Sequence, residues 1–588
     1  MQYDVRSLAA GTVIKAGICI IGSGPAGMAL ADELMGSGVK IAVLESGENR
    51  RTRRGDDLNT GFLSGVLNQS TQEVRARQVG GTANHWIVKM AGNGTNGFRY
   101  VPLQEMDFAA WPLAKSDIDP YYERVHQRFN LGPFSYRNLD VWKENTKGPM
   151  LTNDSISSGI FSFCATDYFT HKIPDKITQS TIHNLYRNAT VSELIPSSDG
   201  KRITAARVLT PERNEVLVEA DTFVVATGGF GVPQLLLNSK SALYPNGVGN
   251  NRDVVGRYYI DHSLVLHGYF DLDGSMLEKL KFYDMRDVNG VSVIGSIGLP
   301  EGLKRQQGLL NLEAMLFPRP GTRDYNAFKS AQEFACALNQ GRPMSHSFLQ
   351  NSKNVLMGFP YLAHIAWQKY ANGMVIMPGL ATGGWSKLPE RELKRRYQTL
   401  ELMGLAEQKA KPTNRVTLSD ELDPLGIPRI SVHMDWDEDD IRSIRKTEEL
   451  LVKGLQASGF GKFHSYAEEN GGNLNYYSRT CHHLMGTARM GSDPATSVVD
   501  ANCKIHGIEN CYVASSAVFP SGGYANPTMT VLALSMRLAD WLKLQAADVP
   551  DSVKDAFLQA PQAAEPIFDE YPGGRIATAQ TTLVHSRS

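Results

Sequence analysis

The sequence lacks the features that mark a disulfide scaffold, a zinc protein or a membrane-spanning protein. Its six cysteines lie singly along 588 residues, without the CxxC pairs typical of zinc sites, so we expect no metal centre. No run of about 18 uninterrupted apolar residues occurs, so no membrane span is expected. Lys and Arg number 60 against 61 Asp and Glu, so the chain as a whole has no bulk charge for nucleic acid or an anionic membrane.

The length and the N-terminus give two further expectations. At 588 residues the chain exceeds what one hydrophobic core usually supports, which favours two associated domains. The first residues contain no apolar stretch followed by a small-residue cleavage site, so we expect a cytoplasmic protein with reduced thiols. The balanced charge suits a small neutral substrate.

The first motif that carries chemistry is a glycine turn between an apolar run and an apolar helix. Residues 18–21 are apolar, GSGPAG follows at 22–27, and the next apolar run ends at Glu45. This order predicts a strand, a turn, a helix and a second strand, the unit that binds a dinucleotide. Glycines let the backbone approach the pyrophosphate, and an acidic residue at this spacing binds the ribose. The predicted cofactor contacts are Gly22, Gly24, Pro25, Ala26, Gly27 and Glu45.

The same strand–glycine–helix pattern returns twice further along the chain, near residue 225 and near residue 515. We therefore predict an α/β protein whose dinucleotide-binding domain is assembled from separated segments. Its predicted segments are 1–105, 181–264 and 477–548. Residues 106–180 and 265–476 are predicted to form a β-sheet substrate domain covered by helices, and 549–588 a C-terminal tail.

Four other segments resemble those of the glucose-methanol-choline (GMC) oxidoreductases. They are ATGGFGVPQLLLNS at 226–239, GRYYIDH at 256–262, HLMGTARMG at 483–491 and ANPTMTVLAL at 525–534. The resemblance extends from Cys19 to Trp541 and so covers nearly everything except the tail. It implies a Rossmann-like FAD-binding domain, FAD rather than NAD as cofactor, and oxidation of an alcohol.

Within this family the pyranose oxidases and bacterial glycoside oxidases look closest, because their catalytic histidine is paired with an asparagine. The resemblance implies that His483 is the base, that Asn526 is its partner, and that a secondary alcohol on a sugar or glycoside ring becomes a ketone. A neutral imidazole is a suitable base near neutral pH, and an amide orients the substrate oxygen. His482 is the alternative base, but motif spacing favours His483, and neighbours on an extended segment point opposite ways.

The segment VGGTANHW at 79–86 resembles the one whose histidine carries a covalent flavin bond in fungal pyranose oxidases. It implies flavin contacts from Gly80, Gly81, Asn84 and His85. For His85 three alternatives stay open: a covalent bond, a noncovalent contact and a buried structural histidine. The covalent bond is not favoured, because Ile87 stands where the family places a threonine near the flavin. The remaining predicted cofactor contacts are Val191, Ser515, Pro527 and Thr528.

Two other functions stay open on the sequence. One is a GMC enzyme that acts on an aminoglycoside or other natural-product alcohol. The other is a flavin-binding protein without catalysis, against which the intact His483 and Asn526 argue. The predicted electron acceptor is O2 or a quinone or other redox carrier. The oligomeric state does not follow from the sequence.

Overall fold

The computed structural model describes most of the chain. The described residues are 1–67, 70–86, 88–90, 96–143, 150–272, 274–340, 344, 346–372, 375–377, 381–383 and 385–546. Ile87 and the predicted tail at 549–588 lie outside the described residues.

The described residues form strands and helices in a mixed order. The strands are β1 Gln2–Asp4, β2 Val13–Ile21, β3 Ile41–Leu44, β4 Phe62–Gly65, β5 Val88–Lys89, β6 Asn96–Tyr100, β7 Ser157–Ala165, β8 His183–Arg187, β9 Thr190–Pro196, β10 Ile203–Leu209, β11 Glu215–Val225, β12 Ser263–Asp271, β13 Met285–Val288, β14 Val291–Gly298, β15 Leu312–Pro320, β16 Val375–Met377, β17 Ala381–Gly383, β18 Tyr397–Ala406, β19 Arg415–Leu422, β20 Pro428–Met434, β21 Phe463–Ser465, β22 Tyr476–Ser478 and β23 Cys511–Val513. The α-helices are α1 Pro25–Leu34, α2 Arg53–Asp57, α3 Lys115–Arg128, α4 Ile173–Gln179, α5 Gly228–Asn238, α6 Gly274–Lys279, α7 Glu301–Gln307, α8 Thr322–Gln340, α9 Phe348–Met357, α10 Phe359–Asn372, α11 Glu390–Arg396, α12 Glu438–Ala457, α13 Tyr466–Glu469 and α14 Thr528–Ala546.

The first large sheet is mostly parallel and draws its strands from three separated parts of the chain. Its order is β1-β8-β3-β2-β11-β10-β9, and β23 pairs with β11. The strands β1, β8, β3, β2, β11 and β23 run parallel, whereas β10 and β9 are antiparallel additions. The core strand β3 is an unbroken buried apolar run, which is typical of a parallel sheet covered on both faces. Helices α1 and α14 pack against each other beside this sheet.

The second large sheet is antiparallel and has the order β21-β12-β18-β15-β14-β7-β6-β5, with β13 on β14 and β22 on β12. Its strands β14 and β15 are buried along almost their whole length. Two smaller sheets, β19-β20-β4 and β16-β17, complete the described strands. The predicted α/β class is therefore confirmed.

The second sheet begins earlier in the chain than the predicted division into domains. Strands β5 and β6 lie inside the predicted segment 1–105, yet β6 pairs with β7 of the second sheet. The sequence does not show this boundary, because both strands are short and follow the glycine segment without a change in composition. The exact domain boundaries stay a prediction.

Within the described ranges, no helix is both long and apolar enough to cross a membrane.

Candidate active site

A cavity of about 310 Å³ opens where parallel strands of the first sheet end. Its walls include the residues that follow β2, β3, β11 and β23, such as Gly22, Glu45, Thr227 and Ala514. Ligands of open α/β sheets bind at the carboxyl ends of the strands, so this is the expected place for a dinucleotide. The cavity then continues to His85 and His483.

Two glycine segments that are far apart in sequence meet at this cavity. Gly81 has a φ of +51°, and a Cβ built on it would lie 2.8 Å from the Cα of Gly24. A Cβ on Gly27 would lie 2.0 Å from the carbonyl oxygen of Gly22, so α1 can pack this closely on the turn only without a side chain. By contrast, the only atom within 4 Å of a Cβ on Gly24 is the Cα of Gly81, at 4.0 Å. The backbone there is open for the approach of a phosphate.

Glu45 lies where the sequence predicts, at the end of β3 and on the cavity wall. One carboxylate oxygen accepts hydrogen bonds from the amide and the hydroxyl of Ser23, at 3.2 and 2.5 Å. The other accepts from the Gly47 amide at 2.8 Å. Burial raises the pKa of the Glu45 carboxyl above its usual value, and these hydrogen bonds oppose the rise. The side chain is thus fixed in place before any ligand binds.

Most of the predicted cofactor contacts line the cavity. Those that do are Gly22, Gly24, Pro25, Ala26, Glu45, Gly81, His85, Val191, Ser515, Pro527 and Thr528. Gly27, Gly80 and Asn84 are not among the described lining residues. The structure gives them other roles.

Gly80 and Asn84 shape the loop that carries His85 and do not face the cavity. Gly80 has a φ of +89°, and its amide donates to the Ser23 carbonyl at 3.1 Å. The Asn84 side chain donates to the carbonyls of Val79 and Gly81 at 2.9 and 2.8 Å. Both hydrogen bonds use Asn84 Nδ2 within its own turn, and the contact of Asn84 with the cofactor stays a prediction.

Several cavity residues were missed in the sequence. Arg75, which is buried, and Arg77, which is half-buried, line the cavity, and desolvation lowers the pKa of both. They follow no recognisable motif, so no signal in one sequence would have identified them. Phe98 and Trp86 form an aromatic wall near His483, with a centroid distance of 6.4 Å between the rings of Phe98 and His483.

The wall of the cavity carries buried polar atoms that have no hydrogen-bond partner in the described residues, which suits a bound FAD. Among the described residues, Arg75 Nε, Thr227 Oγ1 and His85 Nε2 are buried and have no hydrogen-bond partner, and all three residues line the cavity. Buried polar groups are nearly always hydrogen-bonded, so unpartnered donors and acceptors on one wall indicate a polar ligand. With the glycine cradle and Glu45, they would hold a dinucleotide.

His483 lies in a chain of three hydrogen bonds. Its Nε2 is 2.8 Å from Asn526 Nδ2, and its Nδ1 is 2.6 Å from Nδ1 of His262. The other nitrogen of His262, Nε2, is 2.7 Å from the carbonyl oxygen of Gly523. The loop before α14 therefore holds both ends of the chain, Gly523 at one and Asn526 at the other.

These contacts determine where the protons are. A carbonyl oxygen can only accept, so His262 Nε2 carries a proton and, in the neutral ring, its Nδ1 accepts. His483 Nδ1 must then donate, which leaves a lone pair on His483 Nε2. Asn526 Nδ2 donates to that lone pair. The chain thus presents His483 Nε2 as a proton acceptor, as a base requires.

The backbone around His483 is organised by Asp261. One oxygen of this buried carboxylate accepts from the amides of His262, Cys481 and His483, at 2.7, 3.0 and 3.0 Å. Burial is the main reason that the pKa of Asp261 rises to about 6. Asp261 and His262 both lie in the GRYYIDH segment, but the sequence did not show what they contact.

His482 also lines the cavity, but it takes no described part in the hydrogen-bond chain. Its φ is +62°, so the backbone bends at this residue and the segment is not extended as expected. The motif spacing, which was the main reason for choosing His483, is unaffected. Only His483 contacts Asn526. The preference for His483 stays a prediction, now supported by that contact.

Comparison with known proteins was made once this geometry was established. Residues 410–535 match the family model described as GMC oxidoreductase. The fructose dehydrogenase large subunit of Gluconobacter japonicus is 22% identical over 90% of this chain and 97% of its own. Residues 410–535 are therefore identified as a GMC oxidoreductase segment. The chain is an FAD-dependent oxidoreductase that acts on CH–OH donors.

Two further proteins are similar to most of this chain, one in sequence and one in fold. Paromamine 6'-oxidase of Streptomyces fradiae is 23% identical over 89% of this chain and 90% of its own. The crystal structure of pyridoxine 4-oxidase from Mesorbium loti superimposes with a TM-score of 0.50 at 16% identity, covering 89% of this chain and 98% of that one. At that identity the structural likeness shows the fold.

The acid–base behaviour of His483 gives a first testable prediction. Burial, followed by the charges of His262, Arg99 and His482, holds the pKa of His483 well below its usual value. A base must be neutral, so a lowered pKa extends the active range toward acid. We expect the rate of anaerobic flavin reduction to stay constant as the pH falls through about 6.5, the ordinary imidazole pKa. A rate that already falls with a pKa of 6.5 or above would contradict this geometry.

Proposed function

We propose that the protein oxidises a secondary alcohol of a sugar or glycoside ring to a ketone, with His483 as the base. The observation that carries the proposal is the hydrogen-bond chain that leaves the His483 Nε2 lone pair beside the Asn526 amide. When a substrate hydroxyl binds between these groups, Asn526 Nδ2 donates to the substrate oxygen in place of His483 Nε2. The lone pair of His483 Nε2 then accepts from the hydroxyl. Both groups then position the same oxygen.

The residues perform the proton half of the reaction. His483 removes the hydroxyl proton at Nε2, while Asn526 holds the oxygen and competes for no proton. When bound, FAD supplies the acceptor for the hydride that leaves the carbinol carbon. The buried site around His483 excludes water from this step, and His262 keeps Nδ1 of His483 engaged throughout.

Two observations favour a sugar over other alcohols as the substrate: the aromatic side chains beside His483 and the similarity to a sugar dehydrogenase. Phe98 and Trp86 offer aromatic faces, which suit the apolar C–H faces of a pyranose ring. The fructose dehydrogenase large subunit takes a sugar by its name. The second candidate is an aminoglycoside alcohol, favoured by the similarity to paromamine 6'-oxidase along most of both chains.

A substrate panel tests the proposal. The oxidised protein is mixed without oxygen with free sugars, alkyl glycosides, aminoglycosides and simple secondary alcohols, and the flavin absorbance is followed. We expect bleaching by a sugar or glycoside and a keto-sugar among the products. Bleaching by aminoglycosides alone would favour the second candidate, and no bleaching with any alcohol would favour a flavin-binding protein without catalysis. Addition of air or a quinone then identifies the acceptor.

The attachment of FAD at His85 is tested separately. His85 Nε2 is buried, unpartnered among the described residues and on the cavity wall, which suits a contact with the flavin. We propose a noncovalent contact and expect the yellow colour to move into the supernatant when the protein is precipitated with acid. A pellet that stays yellow in the wild type and turns colourless in His85→Ala would show a covalent bond instead.

A further inference from the structure

The near-zero net charge of the chain conceals one long stretch without acidic residues. Between Glu333 and Glu390 the sequence contains no aspartate or glutamate, whereas the whole chain contains 61 of them in 588 residues. The same stretch contains four basic residues, Arg342, Lys353, Lys369 and Lys387. A segment of this kind is locally basic and suits an anionic partner.

The described part of this stretch also exposes large apolar side chains. Seven of the fifteen large hydrophobic side chains that are exposed among the described residues lie on α8, α9 and α10, which make up less than a tenth of the chain. They are between 53% and 84% exposed. We call these seven the apolar helical layer, and they are Leu338, Phe348, Leu349, Leu356, Met357, Phe359 and Trp367.

The exposure follows helical periodicity, so it is a property of whole helix faces. On α10 the residues Phe359, Ala363, Ala366 and Trp367 are exposed, at spacings of four, seven and eight. The opposite side of that helix carries the buried residues Tyr361 and Ile365, which are four positions apart. A surface helix normally turns its polar face to water, whereas this one is apolar on both sides. Its outer face is therefore expected to be covered by something.

Helix α9 adds positive charge to the same surface. Leu349, Lys353 and Leu356 are exposed at spacings of four and seven, so a lysine stands between two leucines on one face. Helices α9 and α10 both pack on α8 and touch each other. Apolar, aromatic and basic side chains side by side are typical of helices that lie in the interface of a bilayer.

We propose that the apolar helical layer docks this protein on an anionic lipid surface. The exposed Phe, Leu, Met and Trp side chains enter the boundary between headgroups and acyl chains, and Lys353 remains among the anionic headgroups. The proposal is independent of the proposed function. It requires no membrane-spanning helix, since the helices lie in the plane of the interface.

The charge of the layer argues against a second copy of the chain as the occupant. A symmetric dimer through this surface would bring the same face of both chains together. Lys353 would then approach its own copy, and residues 334–389 contain no carboxylate to pair with it. Glu333 of α8 is already bonded to His346 and Asn351. An anionic surface removes this repulsion and covers the same apolar area.

Vesicle co-sedimentation of the FAD-loaded protein tests the proposal. The probes are vesicles of phosphatidylcholine alone and of phosphatidylcholine with phosphatidylglycerol. We expect binding to the anionic vesicles that weakens at high salt, and little binding to the neutral ones. The double variant Leu356→Ser/Trp367→Ser should lower the partition coefficient about tenfold or more. Lys353→Glu should also lower it.

The controls carry equivalent changes elsewhere on the surface. Leu243→Ser and Leu422→Ser alter side chains that are 49% and 57% exposed, and Lys462→Glu reverses an exposed charge outside the layer. These variants should bind as the wild type does. The flavin spectrum and the thermal unfolding midpoint of every variant show that it is folded.

Three results would overturn the proposal. The first is absence of wild-type binding to anionic vesicles. The second is equal loss of binding in the layer variants and in the controls. The third is a wild-type dimer in sedimentation velocity that Leu356→Ser/Trp367→Ser converts to a monomer, because the layer would then be covered by a second copy.

Discussion

Replacing His483 with alanine should slow anaerobic flavin reduction by the substrate by about 10² to 10⁴-fold. Among the described residues, His483 is the histidine that lines the cavity and whose Nε2 accepts a hydrogen bond from Asn526. Without it, the hydroxyl proton has no acceptor at the moment the hydride leaves. The measurement is the rate of loss of flavin absorbance after rapid anaerobic mixing.

The neighbouring histidine provides a matched control for this prediction. His482 lies one residue away and also lines the cavity, but it takes no described part in the hydrogen-bond chain. His482→Ala should therefore reduce the flavin within a few-fold of the wild-type rate, with the FAD spectrum retained in both variants. A slower reaction in His482→Ala than in His483→Ala would show that His482, and not His483, is the base.

The second large effect is expected at His262, which acts through His483. Phenylalanine at this position removes the acceptor for the His483 Nδ1 proton, so that proton is no longer held on Nδ1. In the other tautomer of His483, Nε2 carries the proton and cannot accept the hydroxyl proton of the substrate. We expect kcat to fall about 100-fold with KM nearly unchanged, less than a complete loss because Asn526 still donates to Nε2.

A conservative change at the same position separates this role from a packing role. In His262→Asn the side-chain oxygen can accept from His483 Nδ1, so a large part of the lost rate should return. Equal losses in His262→Phe and His262→Asn, together with a lower thermal unfolding midpoint in both, would mean that the residue is only structural.

Much of the cofactor site is visible in the sequence because it depends on local geometry. The order strand, glycine turn, helix and strand places Gly22, Gly24 and Glu45 at the end of the sheet, and the structure has them there. The start of α14 at Thr528 follows in the same way from the ANPT segment. These features need only neighbouring residues and a known supersecondary unit.

The rest depends on contacts between distant residues, which one sequence does not reveal. His262 and His483 are 221 positions apart, and their contact arises only when the residue before β12 and the segment around His483 come together. The position of β6 in the second sheet depends on its pairing with β7, about 60 residues later in the chain. Nothing in the local sequence shows that the Asn84 amide donates within its own turn.

The most direct test is the stoichiometry of a single anaerobic turnover. FAD-loaded protein is mixed with an excess of the sugar or glycoside that bleaches it, and reduced flavin and ketone product are quantified in the same sample. One ketone per reduced flavin in the wild type, with neither formed by His483→Ala on the same timescale, is the predicted result. Flavin reduction without ketone, or equal amounts of ketone from His483→Ala, would contradict alcohol oxidation at His483.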